Sequence, residues 1–475
     1  MLNSVLHTAE VPSFDPATGQ LTLAQHHLVS APLSLLASLP EDLDLLLDPP
    51  PARPYQQTVE ESSHVAVEPR RKRRRIAPPA ESASPADWAL QRQKQERRTT
   101  TDRATEEHHA SISLDVETAI DAVRGGWLGR EKEGEGWMGD LRERVEWVER
   151  GKGSDKEEVA LVDLAKRFSS VEGDEQDVLR VELAEAELSL DQLFNRIVLN
   201  ASPSASSILR LQDSDDAAEP KLPSLLLPPS SAFLLRDFST WSAPSSDIAS
   251  LGRTVGGWDI VVIDPPWPNA SASRSSSYDT FDAYDLWKLD LPALLGETPA
   301  LVAVWLTNKV KFRRLVTEKL FPAWGVKNIV SWYWVKIASE TGEPVVPLDA
   351  KHRRCYEGLV IGYYVPPAAK LDLPALPDGK VFLSTPIGHS RKPVLLDLLR
   401  PYLPSPSNPP NVLELFARTA LSSFPSLASG EGEKREAGRG TFLAVGNEAV
   451  KFNVLEEDNG TARGWLRRRA VGNGM

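Results

Sequence analysis

Trp258–Trp267 reads WDIVVIDPPW, and this run constrains the architecture more than any other stretch of the chain. Ile260, Val261, Val262 and Ile263 are consecutive β-branched apolar residues, the pattern of a strand buried on both faces. Pro265 and Pro266 fix φ and donate nothing to a ladder, so the strand has to end at Asp264. A carboxylate, a stiff turn of free carbonyls and the large ring of Trp267 then stand together at the carboxyl end of a strand. In open α/β sheets that edge is where ligands bind. An acceptor beside a stacking ring suits an exocyclic amine on a flat base.

From Phe233 onward strand and helix patterns alternate. Strands are expected at Phe233–Arg236, Trp258–Ile263, Ala300–Leu306, Val326–Ile337, Tyr356–Val365, Val381–Thr385, Val412–Leu415 and Thr441–Gly446, and helices at Val310–Leu320, at Lys392–Leu403 and after Phe416. Interleaving of this kind implies an α/β sheet covered on both faces. The long strands Val326–Ile337 and Tyr356–Val365 have no helix between them, so part of the sheet is expected to be antiparallel.

The region before this domain divides by composition. Residues 1–110 are Pro- and Ser-rich and read as mostly disordered. Val11–Leu23 has the look of a hairpin around Pro16–Gly19, and Leu33–Leu47 is leucine-rich enough for a brief helix. Residues 111–200 have helical texture, with Val178–Leu199 read as one or two amphipathic helices, and Trp127, Trp137 and Trp147 are read as packing residues. Residues 201–229 read as a linker, 230–455 as the α/β domain and 456–475 as a tail. The formal net charge of −12 argues against a generally basic nucleic-acid coat but leaves room for local patches. Arg70, Arg71, Lys72, Arg73, Arg74 and Arg75 make one such patch and read as a nuclear-localisation signal, hence a nuclear import receptor as partner and a nuclear, or nuclear and cytoplasmic, location. Cys355 is the single cysteine, which excludes internal disulfides and cysteine-rich zinc sites, and His352 and His389 lack partners at ligand spacing, so no metal site is expected. No apolar run is long enough to span a bilayer, so no membrane association is expected.

WDIVVIDPPW resembles the signature of the mRNA N6-adenosine methyltransferase (DPPW, MT-A) family. Downstream, WLTNK (Trp305–Lys309), WYWVKI (Trp332–Ile337), PLD (Pro347–Asp349), YEGLVIG (Tyr356–Gly362), HSRKP (His389–Pro393), LELFAR (Leu413–Arg418) and GNEAVKF (Gly446–Phe452) follow in the order of its methyltransferase-like 4 branch. The resemblance covers about Phe233–Phe452. It implies a Rossmann-like S-adenosylmethionine-dependent methyltransferase sheet, with the DPPW strand preceding the cofactor strand as in the β-class. Asp264, Pro265, Pro266 and Trp267 would then be catalytic, holding the target adenine. Asp264, Asp237, Lys392, Glu414, Arg418, Asn447 and Glu448 would hold S-adenosylmethionine, with Lys392 at the carboxylate end of the cofactor, Glu414 and Arg418 at the ribose and polar-contact positions and Asn447 and Glu448 closing over the ribose and methionine part. After Arg418 this chain has Thr419–Ala420 where the mRNA enzyme has histidine and asparagine, and Ser426–Gly440 reads as a surface insertion.

The residues themselves suit that chemistry. The lone pair of an adenine N6 amine is delocalised into the ring, so acceptors fixed around the nitrogen favour the tetrahedral geometry that attack requires. Arg274 and Tyr278, in the polar loop after the signature, are candidate substrate contacts. Two basic clusters, Lys309, Lys311, Arg313 and Arg314, then Arg353 and Arg354, are expected to track phosphates. The leading expectation is an adenine-N6 methyltransferase acting on nucleic acid without an obligate partner subunit. RNA comes first, with small nuclear RNA bearing 2′-O-methyladenosine as the substrate class that the resemblance implies. DNA is the near alternative, because only 2′-hydroxyl contacts separate the two polymers. A non-catalytic nucleic-acid-binding subunit, and methylation of a protein amide or small molecule, are the other readings.

Overall fold

The computed structural model describes residues 7–15, 20–28, 103–121, 143–144, 164–165, 178–181, 185–203, 206–212, 224–238, 246–268, 282–337, 343–350, 354–369, 372–384, 386, 392–404, 409–422, 440–458, 461–463 and 466–467. Leu33–Leu47, Arg70–Arg75, the three tryptophans Trp127, Trp137 and Trp147, Arg274, Tyr278, His352, Arg353, His389 and nearly all of the Ser426–Gly440 insertion lie outside the described residues.

The main sheet has twelve strands, numbered here along the chain: β1 (His7–Asp15), β2 (Gln20–Leu28), β3 (Val178–Val181), β4 (Ile197–Asn200), β5 (Ser231–Leu235), β6 (Ile260–Ile263), β7 (Ala300–Leu306), β8 (Val326–Lys336), β9 (Tyr356–Tyr364), β10 (Val381–Ser384), β11 (Val412–Leu415) and β12 (Phe442–Gly446). Their order across the sheet is β1-β2-β10-β8-β9-β7-β6-β11-β12-β5-β4-β3. At the centre β7, β6, β11, β12 and β5 run parallel. β9 is antiparallel to both β7 and β8, as the missing helix between β8 and β9 implies. The arrangement is the expected Rossmann-like α/β fold.

Alternation along β6 builds the two faces of the core. Ile260 and Val262 join Trp305, Trp334, Val412 and Phe442 on one face, while Val261 and Ile263 join Val304, Leu413 and Trp267 on the other. β7 and β11 coincide with the spans read from sequence. The expected N-terminal pairing also forms, β1 antiparallel to β2, and β2 pairs in parallel with β10. A helix over 103–121 packs Ile112, Val116, Ala119 and Ile120 against Tyr333, Val335, Tyr356 and Leu383. Those apolar positions fall at i, i+4, i+7 and i+8, one helical face.

Elsewhere the structure differs from the expectation. Val178–Leu199 is not helical: it gives β3, a strand at Glu185–Ser189, a 3₁₀ turn at Leu190–Leu193 and the start of β4. Leu179, Val181 and Leu183 already alternate at period two, and pairing of β4 with β5, over thirty residues away in sequence, selects the strand. Residues 201–229 are no plain linker, since Ser207–Gln212 and Ser224–Leu227 pair as strands. Residues 456–475 likewise contribute, with Val454–Asp458 and Thr461–Arg463 extending that second sheet. The helix expected from Lys392 begins only at Leu396, which leaves Lys392 in a loop. No helix starts after Phe416 among residues 417–422. Phe416 sits at φ 60° with its ring stacked on Phe238 at 4.0 Å, and Ala417 N–H donates to Val445 O at 3.0 Å. A left-handed residue followed by cross-strand bonds cannot nucleate a helix.

Asn411 ties the base of the parallel core together. Its side-chain amide donates to Val255 O (2.9 Å) and Gly257 O (2.8 Å), and its Oδ1 accepts from the N–H groups of Gly440 (2.9 Å) and Thr441 (3.0 Å). The residue is fully buried, so Asn411→Ala strands four backbone groups out of reach of water. The expected cost is about 3 kcal/mol or more, read as a lowered denaturant midpoint with an unchanged slope.

Candidate active site

The carboxyl ends of five adjacent parallel strands carry every expected cofactor residue except Lys392, together with the DPPW signature and Lys309. Asp264 follows β6; Glu414 lies in β11 and Arg418 just past it; Asn447 and Glu448 follow β12; Asp237 follows β5; Lys309 follows β7. β6 lies between β7 and β11, so the chain leaves it to one side and returns on the other. The crevice over β6 and β11 is therefore a topological switch point.

Asp264 N–H donates to Leu415 O at 3.2 Å, so the ladder runs one residue beyond β6. The prolines then stop it. Pro265 O accepts the N–H of Trp267 at 2.8 Å, closing a tight turn with Pro265 buried and Pro266 exposed. Trp267 does not offer the open stacking face expected of it. It is 7% exposed, its indole N–H donates to Trp305 O at 2.7 Å, and its ring packs on Phe312 with centroids 4.7 Å apart. The ring braces the turn that carries Asp264.

Asp264 is held by Lys392. The ammonium lies 3.2 Å from Asp264 Oδ1 and 3.0 Å from Glu357 Oε2, with the Trp305 ring centre 5.4 Å away. Glu357 Oε1 in turn accepts from Lys336, forming a chain of alternating charge, Asp264–Lys392–Glu357–Lys336. Burial alone would raise the Glu357 carboxyl, but Lys392 and then Lys336 overcome it and hold the group at about 2. Burial alone would likewise lower the Lys392 ammonium, and Asp264 and Glu357 instead raise it above the ordinary lysine range. Asp264 Oδ2 has no partner among the described residues, and the side chain that Lys392 holds is 23% exposed.

A cleft of about 850 Å³, counting space open to solvent, lies beside this chain of charge. Ile260, Val262, Val412 and Phe442 form its apolar floor, and Asp264, Lys392, Glu414 and Arg418 are its charged walls. Arg418 Nε bonds Glu448 Oε2 at 3.1 Å, and Lys451 Nζ bonds Glu448 Oε1 at 2.7 Å. Glu448 thus braces Arg418 from behind and is not itself among the cleft-lining residues. Asp237 and Asn447 are also not among them; they stand at the ends of the neighbouring strands β5 and β12. The donor set fits S-adenosylmethionine: a carboxylate for ribose hydroxyls, cations for an amino-acid carboxylate and an apolar floor for flat rings.

The basic clusters do not form one phosphate track. Arg313 donates to Ser331 Oγ and lies over the Tyr333 ring at 5.5 Å. Arg314 is exposed and lies 3.9 Å from Glu318. Arg354 is spent on Glu106 of the 103–121 helix, with both carboxylate oxygens 2.8 Å from Nη2. Lys309 is half-buried and bonds Pro268 O at 3.2 Å, and Lys311 is exposed. The sequence reading missed Glu357, Lys336 and Trp305 as site residues. The available signal was Glu357 itself, a lone carboxylate inside the apolar strand YEGLVIG.

Residues 258–429 match the model of the MT-A70 family. The chain is 32% identical over 303 residues to the human protein called N(6)-adenine-specific methyltransferase METTL4, covering 62% of this chain and 56% of that one. It is 35% identical over 238 residues to the mouse protein of the same name, covering 49% and 44%. It is 36% identical over 184 residues to the N6-methyladenosine RNA methyltransferase MTA1 of Pyricularia oryzae, covering 36% and 46%. The chain thus spans about half the length of these relatives. With the signature at a strand end, the charged cleft beside it and these matches, residues 258–429 carry an MT-A70 domain, and the chain is similar to the METTL4 proteins over about half their length.

Proposed function

We propose that this protein is an S-adenosylmethionine-dependent adenine-N6 methyltransferase of nucleic acid, with RNA as its first substrate and 2′-O-methyladenosine in small nuclear RNA as the substrate class. The observation that carries this is Asp264: a carboxylate at the carboxyl end of β6, bonded through Oδ1 to Lys392 and lining the cleft.

When bound, S-adenosylmethionine supplies a methyl group made electrophilic by its sulfonium. Asp264 Oδ2 accepts one N6 hydrogen of the adenine. The Pro265 carbonyl, one of whose lone pairs serves Trp267, accepts the other. Both bonds draw the nitrogen out of conjugation and strengthen as it gains charge, so they favour the transition state over the bound substrate. The charged amine sheds its proton readily, so Asp264 needs no raised basicity; its work is positioning. Glu414 and Arg418 are the groups of the cleft that would hold the cofactor ribose, and Glu448 keeps Arg418 in place.

The test is methylation with labelled cofactor on total RNA and genomic DNA in parallel, followed by nucleoside analysis. N6-methylated 2′-O-methyladenosine from RNA supports the proposal in full. Label confined to DNA N6-methyladenine replaces the polymer, and no label in any adenine overturns the activity. Arg70–Arg75 are proposed to direct nuclear import. Deleting them is expected to move a fluorescent fusion into the cytoplasm, and unchanged nuclear imaging would remove that role.

A further inference from the structure

We propose that Lys309 and Lys311 form a clamp for one backbone phosphate beside the target nucleotide, so that the site takes adenine within a polynucleotide in preference to a free nucleoside or nucleotide. This deepens the function proposed above and rests on it. Lys309 Nζ donates to Pro268 O at 3.2 Å, the first carbonyl past the DPPW turn. It also lies 5.9 Å from the centre of the Phe312 ring, and the exposed Lys311 ammonium lies 4.6 Å from the same centre. Phe312 packs on Trp267, so two ammonium groups share one ring at the exit of the turn that carries Asp264.

Neither lysine meets a carboxylate among the described residues. Of the other described cations of the two clusters, Arg313 on Ser331 and Tyr333 and Arg354 on Glu106 are used within the fold, while the exposed Arg314 lies 3.9 Å from Glu318. Two neighbouring ammonium groups with no acid beside them among the described residues repel each other. Burial and then the Lys311 charge lower the Lys309 pKa, which registers that repulsion. An anion with two free oxygens relieves it, and a phosphodiester supplies one charge and two such oxygens. The phosphate of a free nucleotide has the same chemistry, so the test has to separate the two sources.

The experiment measures binding of a single-stranded oligoribonucleotide with one adenine to the full-length protein across a salt series. The proteins are wild type, Lys311→Gln and the equal-charge control Lys319→Gln, an exposed lysine farther along the same helical segment. Lys311→Gln is expected to weaken binding about fivefold at low salt and to reduce the slope of log K against log salt by about 0.7. Lys319→Gln is expected to leave the slope unchanged. Replacing one phosphate next to the adenine by a neutral methylphosphonate should erase the difference between wild type and Lys311→Gln. An unchanged slope for Lys311→Gln, or a difference that survives methylphosphonate at every position, overturns the clamp. Adenosine monophosphate that competes as well as the oligonucleotide overturns the preference for a polymer. Failure of the methyltransferase reading shows separately, as intact oligonucleotide binding by wild type with no methyl transferred.

Discussion

Asp264→Ala is expected to lower methyl transfer by about a thousandfold while the protein stays folded. The loss is that of an acceptor aimed at charge developing on the target nitrogen, a term of that size where a single oriented group has been removed. The fold survives because Asp264 is partly exposed and Lys392 keeps its second partner, Glu357, at 3.0 Å. Asp264→Asn separates two roles of the group. It keeps an acceptor of the same shape and loses the charge that holds Lys392, so an intermediate rate is expected. Single-turnover transfer from labelled cofactor reads the chemical step, and thermal unfolding of the same samples reads the fold. A rate for Asp264→Ala within a few-fold of wild type, with the melting temperature unchanged, would remove Asp264 from the chemistry.

What the sequence could reveal depended on whether a signal was local. β7 was legible because it is an unbroken apolar run ended by a polar residue, β11 because it is a short apolar run bounded by Asn411 and Phe416, and the pairing of β1 with β2 because Pro16 and Gly19 stand between them in the sequence. DPPW was legible as a strand end because proline chemistry alone demands it. β3 and β4 were not, since their short, acid-rich runs fit either period and the partners that decide between them lie far along the chain. The direction of side chains was hidden as well. Composition shows that Arg313 and Arg354 are cations, but only the fold shows that Ser331 and Glu106 already receive them. Trp267 illustrates the same limit: the residue type suits stacking on a base, and the packing of Phe312 decides that the ring is structural. Glu357 was visible as an oddity in an apolar strand, yet its meaning needed Lys336 and Lys392, twenty-one residues before it and thirty-five after.

Glu357→Gln is expected to make the protein less stable by about 3 kcal/mol at pH 7 and to flatten its response to acid. Glu357 carries the bond between two lysines, and its side chain is 22% exposed. Held at about 2 in the folded protein against an ordinary 4.5, the carboxyl binds its proton later in the native state than in the unfolded chain. The unfolded state therefore takes up more protons as the solution is acidified. The stabilisation is fully present above pH 4.5 and drains away as pH falls from 4.5 toward 2. Glutamine keeps the shape but cannot titrate, so the gap between wild type and variant should be constant from pH 7 to about pH 5 and should narrow below that. Glu357→Ala should cost more than glutamine, because it also leaves the Lys336 and Lys392 ammoniums facing each other across the space the side chain vacates. Methyl transfer should fall in both variants, since Lys392 freed from Glu357 closes more firmly on Asp264 and competes with the amine for its oxygens. Adding back the acid as Glu357→Asp, one methylene short, should recover part of the stability and little of the rate. Denaturant midpoints between pH 7 and pH 3.5 decide the matter: if wild type and Glu357→Gln run parallel across the whole range, the carboxyl is not the charged link between the two lysines.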